Sequence, residues 1–217
     1  MLKKLFTFMI LTGMTATMFG QNIPLAKPQA KIGMDLFDAI KARTSVSSFV
    51  KRDVPIADLS MILWAGNGLT RPDAVSGASR ARTIPNPGEW GYVNIYAFTS
   101  NGMYRYDAAD NLLKQLSNKD VRAQVISDYI ESASLMLLFT YAVDFYAPLS
   151  LKSNPELVHE MAIETAGCAV ENIALAAAAF NLGSLVTYNT NAIAAAVAAK
   201  LGDLDKPLFI MQLGYFQ

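Results

Sequence analysis

One short segment combines residue types that could hold an anion or a planar, polar ligand. In Arg43-Thr44-Ser45-Val46-Ser47, a guanidinium is followed at once by three hydroxyl side chains. A guanidinium presents five N–H donors in a planar fork, and hydroxyls and free backbone amides add further donors. The same pattern also suits the end of a helix, where a cation complements the helix dipole. Taken alone, the segment favours the helix end over the ligand-binding turn.

Two later segments carry polar groups of a similar kind. Arg80-Ala81-Arg82-Thr83-Ile84-Pro85-Asn86-Pro87-Gly88 is a stiff polar loop that leads into a predicted strand. Glu171-Asn172-Ile173, then Asn181-Leu182-Gly183-Ser184 and Leu185–Asn189, join a predicted helix to a strand. A solvated turn and a capped helix explain these patterns equally well, so neither segment identifies a ligand by itself. The order and spacing of the three segments together are a more specific signal than any one of them alone.

The residues most often used for nucleophilic or metal chemistry are scarce. The chain has 1 Cys and 1 His. A single Cys allows neither an intramolecular disulfide nor a cysteine-based zinc site, and a single His excludes a histidine-rich metal site. We interpret His159 as a surface or interface residue and Cys168 as a small buried apolar residue. The sequence therefore predicts no metal site and no catalytic side chain.

Composition excludes two further classes of protein. The 217 residues include 18 Lys and Arg, 18 Asp and Glu, and 53% hydrophobic residues. This length suits one domain with a substantial core, and the chain is too apolar to be disordered. Because the charge is balanced, no basic face is available to displace counterions from nucleic acid, and no nucleic-acid partner is expected.

The first twenty residues differ from the rest of the chain. Lys3 and Lys4 precede an apolar run, Leu5–Leu11, which is followed by small or weakly polar residues up to Gly20. This order is typical of a secretory signal peptide, and the run is too short to span a membrane comfortably. We expect an exported protein, periplasmic or secreted, without stable membrane insertion after signal removal. The expected divisions are a signal peptide at 1–20, a linker at 21–33 and one domain at 34–217.

Hydrophobic spacing and chain punctuation predict the order α, α, β, β, α, β, α, β, α, β. This mixture favours an antiparallel or mixed sheet with helices packed on it. The predicted helices begin at Asp35 and at Pro55 (with Gly66 as a stop) and cover Asp120–Ser132, Glu156–Asn181 and Ala192–Leu201. The predicted strands are Tyr92–Thr99, Met103–Tyr106, Leu135–Val143, Leu185–Tyr188 and Leu208–Gly214, and a long loop covers Asn67–Trp90.

The predicted helix Glu156–Asn181 is rich in alanine around most of its circumference. A helix that is apolar all round is buried on all sides. A domain of this size has little material to cover such a helix completely. We therefore expect a second copy of the chain to cover part of it, as a homodimer.

Together these segments resemble the nitroreductase family of flavoproteins, particularly the branch near the oxidases of thiazole- and oxazole-forming peptide synthesis. The resemblance runs from about Asp35 to Tyr215. It implies an α+β fold with a central, mostly antiparallel sheet wrapped by helices, and an intertwined homodimer with FMN at its interface. The flavin of this family passes hydride from NAD(P)H to a small organic acceptor, so no protein nucleophile is required. The stretches that carry the resemblance are Arg43–Val46 with Phe49, Ile62–Pro72, Arg82–Pro85, Gly102–Asp107, Glu171–Ala177 with Leu182–Ser184, and Pro207–Tyr215.

The resemblance also implies the positions of cofactor contacts. Arg43 would pair with the flavin phosphate or with the polar edge of the ring. Pro85 begins the turn over the isoalloxazine, and Thr187 begins the segment that presents backbone amides to flavin N5 and the phosphate. The full implied set is Arg43, Thr44, Ser45, Ser47, Pro85, Asn86, Gly88, Thr187, Tyr188 and Asn189.

The chain departs from the family pattern where the flavin phosphate would be held. Ser47 replaces a second basic residue, and after the last strand Gly214-Tyr215-Phe216-Gln217 lacks the usual basic pair. Each lost charge-assisted contact costs roughly 1.5–3 kcal/mol, so FMN binding weaker than in the family is expected. Two alternatives stay open: a flavin-poor or redox-inactive binding protein with the family fold, and a flavin oxidase that acts on a secreted small molecule or peptide.

Overall fold

The computed structural model describes residues 21–29, 31, 33–71, 82–85, 93–125, 129–142, 153–187 and 205–217. Within these ranges the chain forms a layer of strands with helices on it, as predicted. The strands are β1 Ile23–Pro24, β2 Val93–Thr99, β3 Gly102–Asp107, β4 Leu112–Ser117, β5 Leu135–Ala142, β6 Leu182–Thr187 and β7 Asp205–Tyr215. The helices are α1 Leu36–Ala42, α2 Ile56–Asn67, α3 Arg122–Val125 and α4 Pro155–Ala179. The predicted helix Ala192–Leu201 lies outside the described residues.

All seven strands join one sheet in the order β1-β4-β3-β2-β5-β7-β6. Every pair of neighbours is antiparallel. The predicted α+β class with an antiparallel sheet is therefore confirmed. The edge strand β1 contains Pro24, and an edge position tolerates proline because its missing N–H is not needed by a further strand.

The strand β5 is an inner strand of the sheet, between β2 and β7. Phe139 pairs with Ile95 of β2 on one side and with Phe209 of β7 on the other. The side chains from Leu135 to Phe139 are each at most 1% exposed, so both faces of β5 are covered. A strand covered on both faces has a continuous apolar sequence, as Leu135–Ala142 does.

Helices α2 and α4 cover one face of the sheet. Ile62 and Ile173 belong to the main core cluster together with Ile95 and Leu137. A Cβ at Gly66 of α2 would lie 2.5 Å from Cδ1 of Ile173, so the glycine allows α2 to approach α4 closely. The opposite face carries a smaller cluster (Tyr96, Phe98, Met103, Val121, Val125, Met136, Leu138 and Ile210).

Two strands and one helix differ from the prediction, and strand β1 lies within the predicted linker 21–33. Strand β4 was not predicted, because Leu112–Ser117 contains no β-branched or aromatic residue; it forms by pairing with β3 and β1. The predicted helix Asp120–Ser132 is wrong over its last part, since residues 129–132 are not helical; α3 covers Arg122–Val125, and residues 126–128 lie outside the described part of the chain. The Arg122 guanidinium donates to the carbonyls of Ala133 and Ser134, which holds this segment in a turn before β5.

Within one chain α4 is buried on one side only, and the expectation that a second copy covers part of the helix stays a prediction. Ala162, Ala166 and Ala169 are fully buried against the sheet. The opposite side of the helix is exposed and includes Glu160 and Glu164. Cys168 lies on this exposed side, which corrects its interpretation as a buried residue. Although α4 is long and apolar enough for a membrane span, half of the relevant window is buried in the protein and glutamates line the outer face, so it is a core helix.

Candidate functional site

The first polar motif begins where α1 ends. The Asp35 carboxylate accepts a hydrogen bond from the backbone amide of Asp38 at 2.9 Å and starts the helix, as predicted. The backbone amide of Arg43 donates to the carbonyl of Ala39 at 2.8 Å and closes it. Because Arg43 is the C-cap residue, the helix-end interpretation of this motif is confirmed.

Beyond Arg43 the chain becomes extended and pairs with β6. The Val46 amide donates to the Ser184 carbonyl at 2.9 Å, and the Ser184 amide donates to the Thr44 carbonyl at 3.4 Å. A Cβ at Gly183 would lie 2.6 Å from Cγ2 of Val46, so only glycine permits this approach without displacement. The first and third polar motifs of the sequence are therefore in direct contact.

Three hydroxyl groups of this region line an open polar cleft, which we call the serine cleft. It has a volume of about 560 Å³, and its walls include Ser45, Ser47, Ser48, Phe49, Phe216 and Gln217. Among the residues that the structure describes, none of the three serine hydroxyls has a hydrogen-bond partner. Arg43 is half-buried two residues before Ser45, and its guanidinium forms no ion pair with a described residue. Donors without partners are thus concentrated beside the start of β6.

A second depression lies between α1, the end of α2 and α4, and we call it the α1 groove. Its volume is about 500 Å³, and its walls include Leu36, Ala39, Trp64, Thr83, Asn172 and Ala176. Most of this surface is apolar. The Trp64 indole is held in place because its Nε1 donates to the carbonyl of Leu69 at 3.0 Å. The groove therefore offers a flat aromatic wall next to polar Thr83 and Asn172.

Thr83 and Asn172 fix the start of the second polar motif. The Thr83 hydroxyl donates to the Trp64 carbonyl at 3.1 Å and accepts from the Gly68 amide at 3.1 Å. The Asn172 side-chain amide donates to the carbonyls of Ala65 and Thr83, both at 3.2 Å. The sequence analysis placed both residues in motifs but not among the site residues. The available signal for Asn172 was the polar pair Glu171-Asn172 on an otherwise alanine-rich helix.

The implied cofactor contacts do not all lie in one place in the structure. Thr44 and Ser45 lie beside Ser184, and Thr187 lies three residues further along β6, roughly 10 Å away. The hydroxyl oxygen of Thr187 is buried and has no partner among the described residues. Pro85 is exposed, two residues beyond Thr83 of the α1 groove, and no described hydrogen bond links it to the Arg43 segment. Four of the implied residues lie outside the described part of the chain: Asn86, Gly88, Tyr188 and Asn189.

Two other candidates take no part in these two depressions. His159 is exposed and lies against the ring of Tyr141 at 5.6 Å between centroids. Arg82 donates from Nη1 to the Asn67 carbonyl at 2.8 Å and lines a different cavity. Among the described residues no group of three His, Cys, Asp or Glu side chains could hold a metal ion.

Comparison with known proteins assigns a family to this arrangement. The family model described as the Nitroreductase family matches residues 40–215. Among curated proteins none matches the chain.

Solved structures resemble the chain over most of its length. A protein assigned as a nitroreductase from Ralstonia eutropha JMP134 is 25% identical, with a TM-score of 0.76 over 92% of this chain and 91% of that one. The NADPH:FMN oxidoreductase of Vibrio harveyi is 19% identical, with a TM-score of 0.55 over 83% of this chain and 68% of that one. A chain of the E. coli microcin synthetase McbBCD complex is 14% identical, with a TM-score of 0.62 over 78% of this chain and 67% of that one.

Proposed function

The chain belongs to the nitroreductase family, and we propose that this oxidoreductase is an FMN-dependent enzyme that uses NAD(P)H to reduce a small organic acceptor. The observation that carries the proposal is the group of serine hydroxyls without described partners beside β6, Ser45 and Ser47, with the unpaired Arg43 two residues before Ser45 in the chain. Such a group suits an anionic or strongly hydrogen-bonding ligand.

The residues present are compatible with FMN. Its phosphate needs donors, which Arg43 and the serine cleft provide. Its ring needs a flat apolar surface and a few polar contacts, which Trp64, Thr83 and Asn172 offer in the α1 groove. The buried Thr187 oxygen without a described partner is a further polar contact at the end of β6.

Each residue of the set has a binding role, and none needs to react. The flavin supplies the hydride chemistry at its N5 when bound. Arg43 would neutralise the phosphate and Ser45 and Ser47 would donate hydrogen bonds to it, while Pro85, with Asn86 and Gly88 outside the described residues, would contribute to the cover of the ring. Thr187 would border the polar edge of the ring, and the proposed roles of Tyr188 and Asn189 fall on residues outside the described part of the chain. Thr44 contributes its backbone to the pairing with Ser184, which positions the other donors.

We also propose that two copies of the chain form the site together. Helix α1 exposes three large apolar side chains next to the α1 groove: Leu36 is 61% exposed, Phe37 72% and Ile40 49%. Exposed apolar clusters of this kind mark protein interfaces. A second copy packed on α1 would bury them and close the groove, which would exclude water from the ring of the cofactor.

The destination of the protein is proposed from the sequence pattern alone. Residues 1–20 are expected to direct export to the periplasm or the medium and then to be removed. The mass of the exported protein would show cleavage near Gly20, whereas recovery of an uncleaved chain from the cytoplasm would contradict the proposal.

One observation favours a second candidate function. The residues that line the serine cleft include three serines but no Lys or Arg. A phosphate in this cleft would rely on Arg43 to neutralise its charge. The alternative is therefore a protein that binds little flavin and uses the family fold to bind another ligand. A flavin oxidase acting on a secreted small molecule or peptide is the other reading of the same site.

The absorption spectrum of the purified mature protein, with and without added FMN, tests the proposal. We expect a flavin band and saturable FMN binding by the wild-type chain. Arg43→Ala should weaken FMN binding about tenfold or more, because a hydrogen bond to a charged group contributes roughly 1.5–3 kcal/mol. Its free energy of unfolding should change little.

A charge-matched control is Lys51→Ala, since Lys51 is 84% exposed and forms only a surface ion pair with Glu131. This variant should bind FMN like the wild type. Equal loss of FMN affinity and stability in Arg43→Ala would show that the arginine is structural. A colourless wild-type protein that does not bind added FMN would support the binding-protein alternative. Bound flavin that is not reduced by NADH or NADPH would favour the oxidase.

A further inference from the structure

A small polar cavity lies at the end of α2, beside the turn between β3 and β4. We call it the hairpin cavity. It has a volume of about 190 Å³ and shares no lining residue with the serine cleft or the α1 groove. Pockets for drug-sized ligands measure roughly 300–1,000 Å³, so this cavity suits a small ion rather than a cofactor.

Three buried polar atoms that belong to residues lining the hairpin cavity have no hydrogen-bond partner among the described residues. They are Asn67 Oδ1, Arg82 Nε and the Tyr106 hydroxyl. Asn67 is 5% exposed and Tyr106 is 7% exposed, so bulk water does not compensate them. Buried polar groups are nearly always paired, and each exception requires a partner or an explanation.

The orientations of these groups are fixed by their other hydrogen bonds. Asn67 donates from Nδ2 to the Val93 carbonyl at 2.8 Å, which leaves Oδ1 as an acceptor. Arg82 donates from Nη1 to the Asn67 carbonyl at 2.8 Å, which leaves Nε as a donor. Burial raises the pKa of Tyr106 to about 12 against the opposing charge of Arg82, so its hydroxyl keeps its proton at neutral pH. Two donors and one acceptor are therefore left without hydrogen-bond partners among the described residues.

The charge of the lining is positive. Arg82, Arg105 and Lys114 contribute three cations, and Asp107 is the one carboxylate among the lining residues. Lys114 binds Asp107 and also lies 3.8 Å from Asp110, whereas Arg105 donates to the neutral Asn94 side chain at 2.9 Å.

Two of these cations lie side by side on adjacent strands. Arg105 of β3 and Lys114 of β4 are direct cross-strand partners. Like charges in this position destabilise a sheet. Because Asp107 and Asp110 already compensate Lys114, Arg105 and Arg82 supply the positive charge that an anion would use.

From this geometry we infer that the hairpin cavity is a binding site for a small oxyanion that carries one proton, such as hydrogen phosphate. Its unprotonated oxygens accept from Arg82 Nε and the Tyr106 hydroxyl, and its own O–H donates to Asn67 Oδ1. Chloride cannot supply that donor. This site is independent of the proposed flavin function.

Calorimetric titration of the mature wild-type protein with inorganic phosphate, in a phosphate-free chloride buffer, tests the inference. We expect saturable binding of one phosphate per chain. Tyr106→Phe removes one donor and should weaken binding about tenfold or more. The matched control is Tyr104→Phe, two residues earlier on β3, whose hydroxyl donates to the Asn101 carbonyl outside the cavity; this variant should bind phosphate like the wild type.

A second variant, Lys114→Met, removes a cation whose side chain is 46% exposed, so folding should be retained. It should weaken phosphate binding and flatten its salt dependence. The inference is overturned if the wild type shows no saturation by tens of millimolar phosphate, or if Tyr106→Phe and Lys114→Met bind as the wild type does. It is equally overturned if Arg43→Ala, and not Tyr106→Phe, abolishes binding, because the ion would then lie beside the first polar motif.

Discussion

Arg122 shows how one buried cation can organise a turn. Its side chain is 10% exposed. Its guanidinium donates from Nε and Nη2 to both carboxylate oxygens of Asp120, at 2.9 and 2.7 Å. Its remaining Nη1 donates to the carbonyls of Ala133 and Ser134. The hydrogen bond from Arg122 lowers the pKa of Asp120 more than partial burial raises it, so the carboxylate stays charged well into acid.

This pair predicts a pH-dependent contribution to stability. The pKa of Asp120 is lower in the folded chain than in the unfolded one, so its contribution is present above the ordinary Asp value, about 3.9, and is lost as the pH falls through the lowered pKa. We expect Asp120→Asn to reduce the free energy of unfolding by about 1–2 kcal/mol at pH 7, a discounted value because the carboxylate is partly exposed. Urea denaturation at pH 7 and pH 3 should show the difference from wild type shrinking in acid.

Glu131→Gln is the control, because the Glu131 side chain is 88% exposed and lies 3.8 Å from Lys51. Its effect should be below about 0.5 kcal/mol at both pH values. A difference for Asp120→Asn that stays constant between pH 7 and pH 3 would contradict a role for the charge of Asp120.

At the scale of elements, the contact between β6 and the segment after α1 decides where the serine donors lie. Gly183 and Val46 pack so closely that a Cβ on the glycine would approach Val46 Cγ1 at 2.9 Å and Phe216 at 3.0 Å. The backbone pairing of Ser45 with Ser184 depends on this approach. The same close contact thus supports both the sheet edge and the proposed binding site.

A pair of glycine substitutions tests this dependence. Gly183→Ala should lower the free energy of unfolding by about 1–3 kcal/mol through overpacking, and should also weaken FMN binding by moving Ser45. Gly167→Ala on the exposed side of α4 has no atom within 4 Å of the new Cβ, so it should stabilise the helix by about 0.5–1 kcal/mol. Urea denaturation and FMN titration measure both effects, and a Gly183→Ala protein with unchanged stability and FMN affinity would refute the steric argument.

At the scale of the whole molecule, the exposed apolar side of α1 is the proposed interface between two copies. Phe37→Glu places a charge on the side chain that is 72% exposed. We expect the dimer dissociation constant to rise at least about tenfold, because a charge would be buried without a partner. Analytical ultracentrifugation over a range of protein concentrations measures this change.

Leu116→Glu is the matched control, since Leu116 is 47% exposed on β4, near the other edge of the sheet. It should leave the dissociation constant unchanged. A wild-type chain that sediments as a monomer at every concentration would contradict the proposal that two copies form the site together. An equal effect of both substitutions on the dissociation constant would show that the interface does not lie on α1.

Local signals predicted several elements correctly. Asp35 caps α1 and Pro55 precedes α2, as their positions in the sequence indicated. The turn at Ser100-Asn101-Gly102 joins β2 and β3, because Gly102 has the positive φ of 138° that the turn requires. Each of these features depends on a few neighbouring residues, which is why sequence patterns alone could predict them.

Features that depend on distant residues were missed. Strand β4 has weak local preference and exists because β1 and β3 pair with it. The non-helical segment before β5 is held by Arg122 through the carbonyls of Ala133 and Ser134, and the exposure of Cys168 depends on which side of α4 meets the sheet. The hairpin cavity joins Asn67, Arg82 and Tyr106 from three separate segments, and no spacing pattern connects them.

The sequence by itself determined the class of the fold, the core strand β5, the ends of the first two helices and the family resemblance that the comparisons bear out. These follow from periodicity, capping and short motifs, whose energies are local. Only the tertiary structure decided that the Arg43 segment lies against β6, that Asn172 holds Thr83, and that three residues with buried polar atoms, unpaired among the described residues, line one cavity. Those arrangements depend on close packing between segments far apart in the chain, and this packing is decided by side-chain shape rather than by order along the sequence.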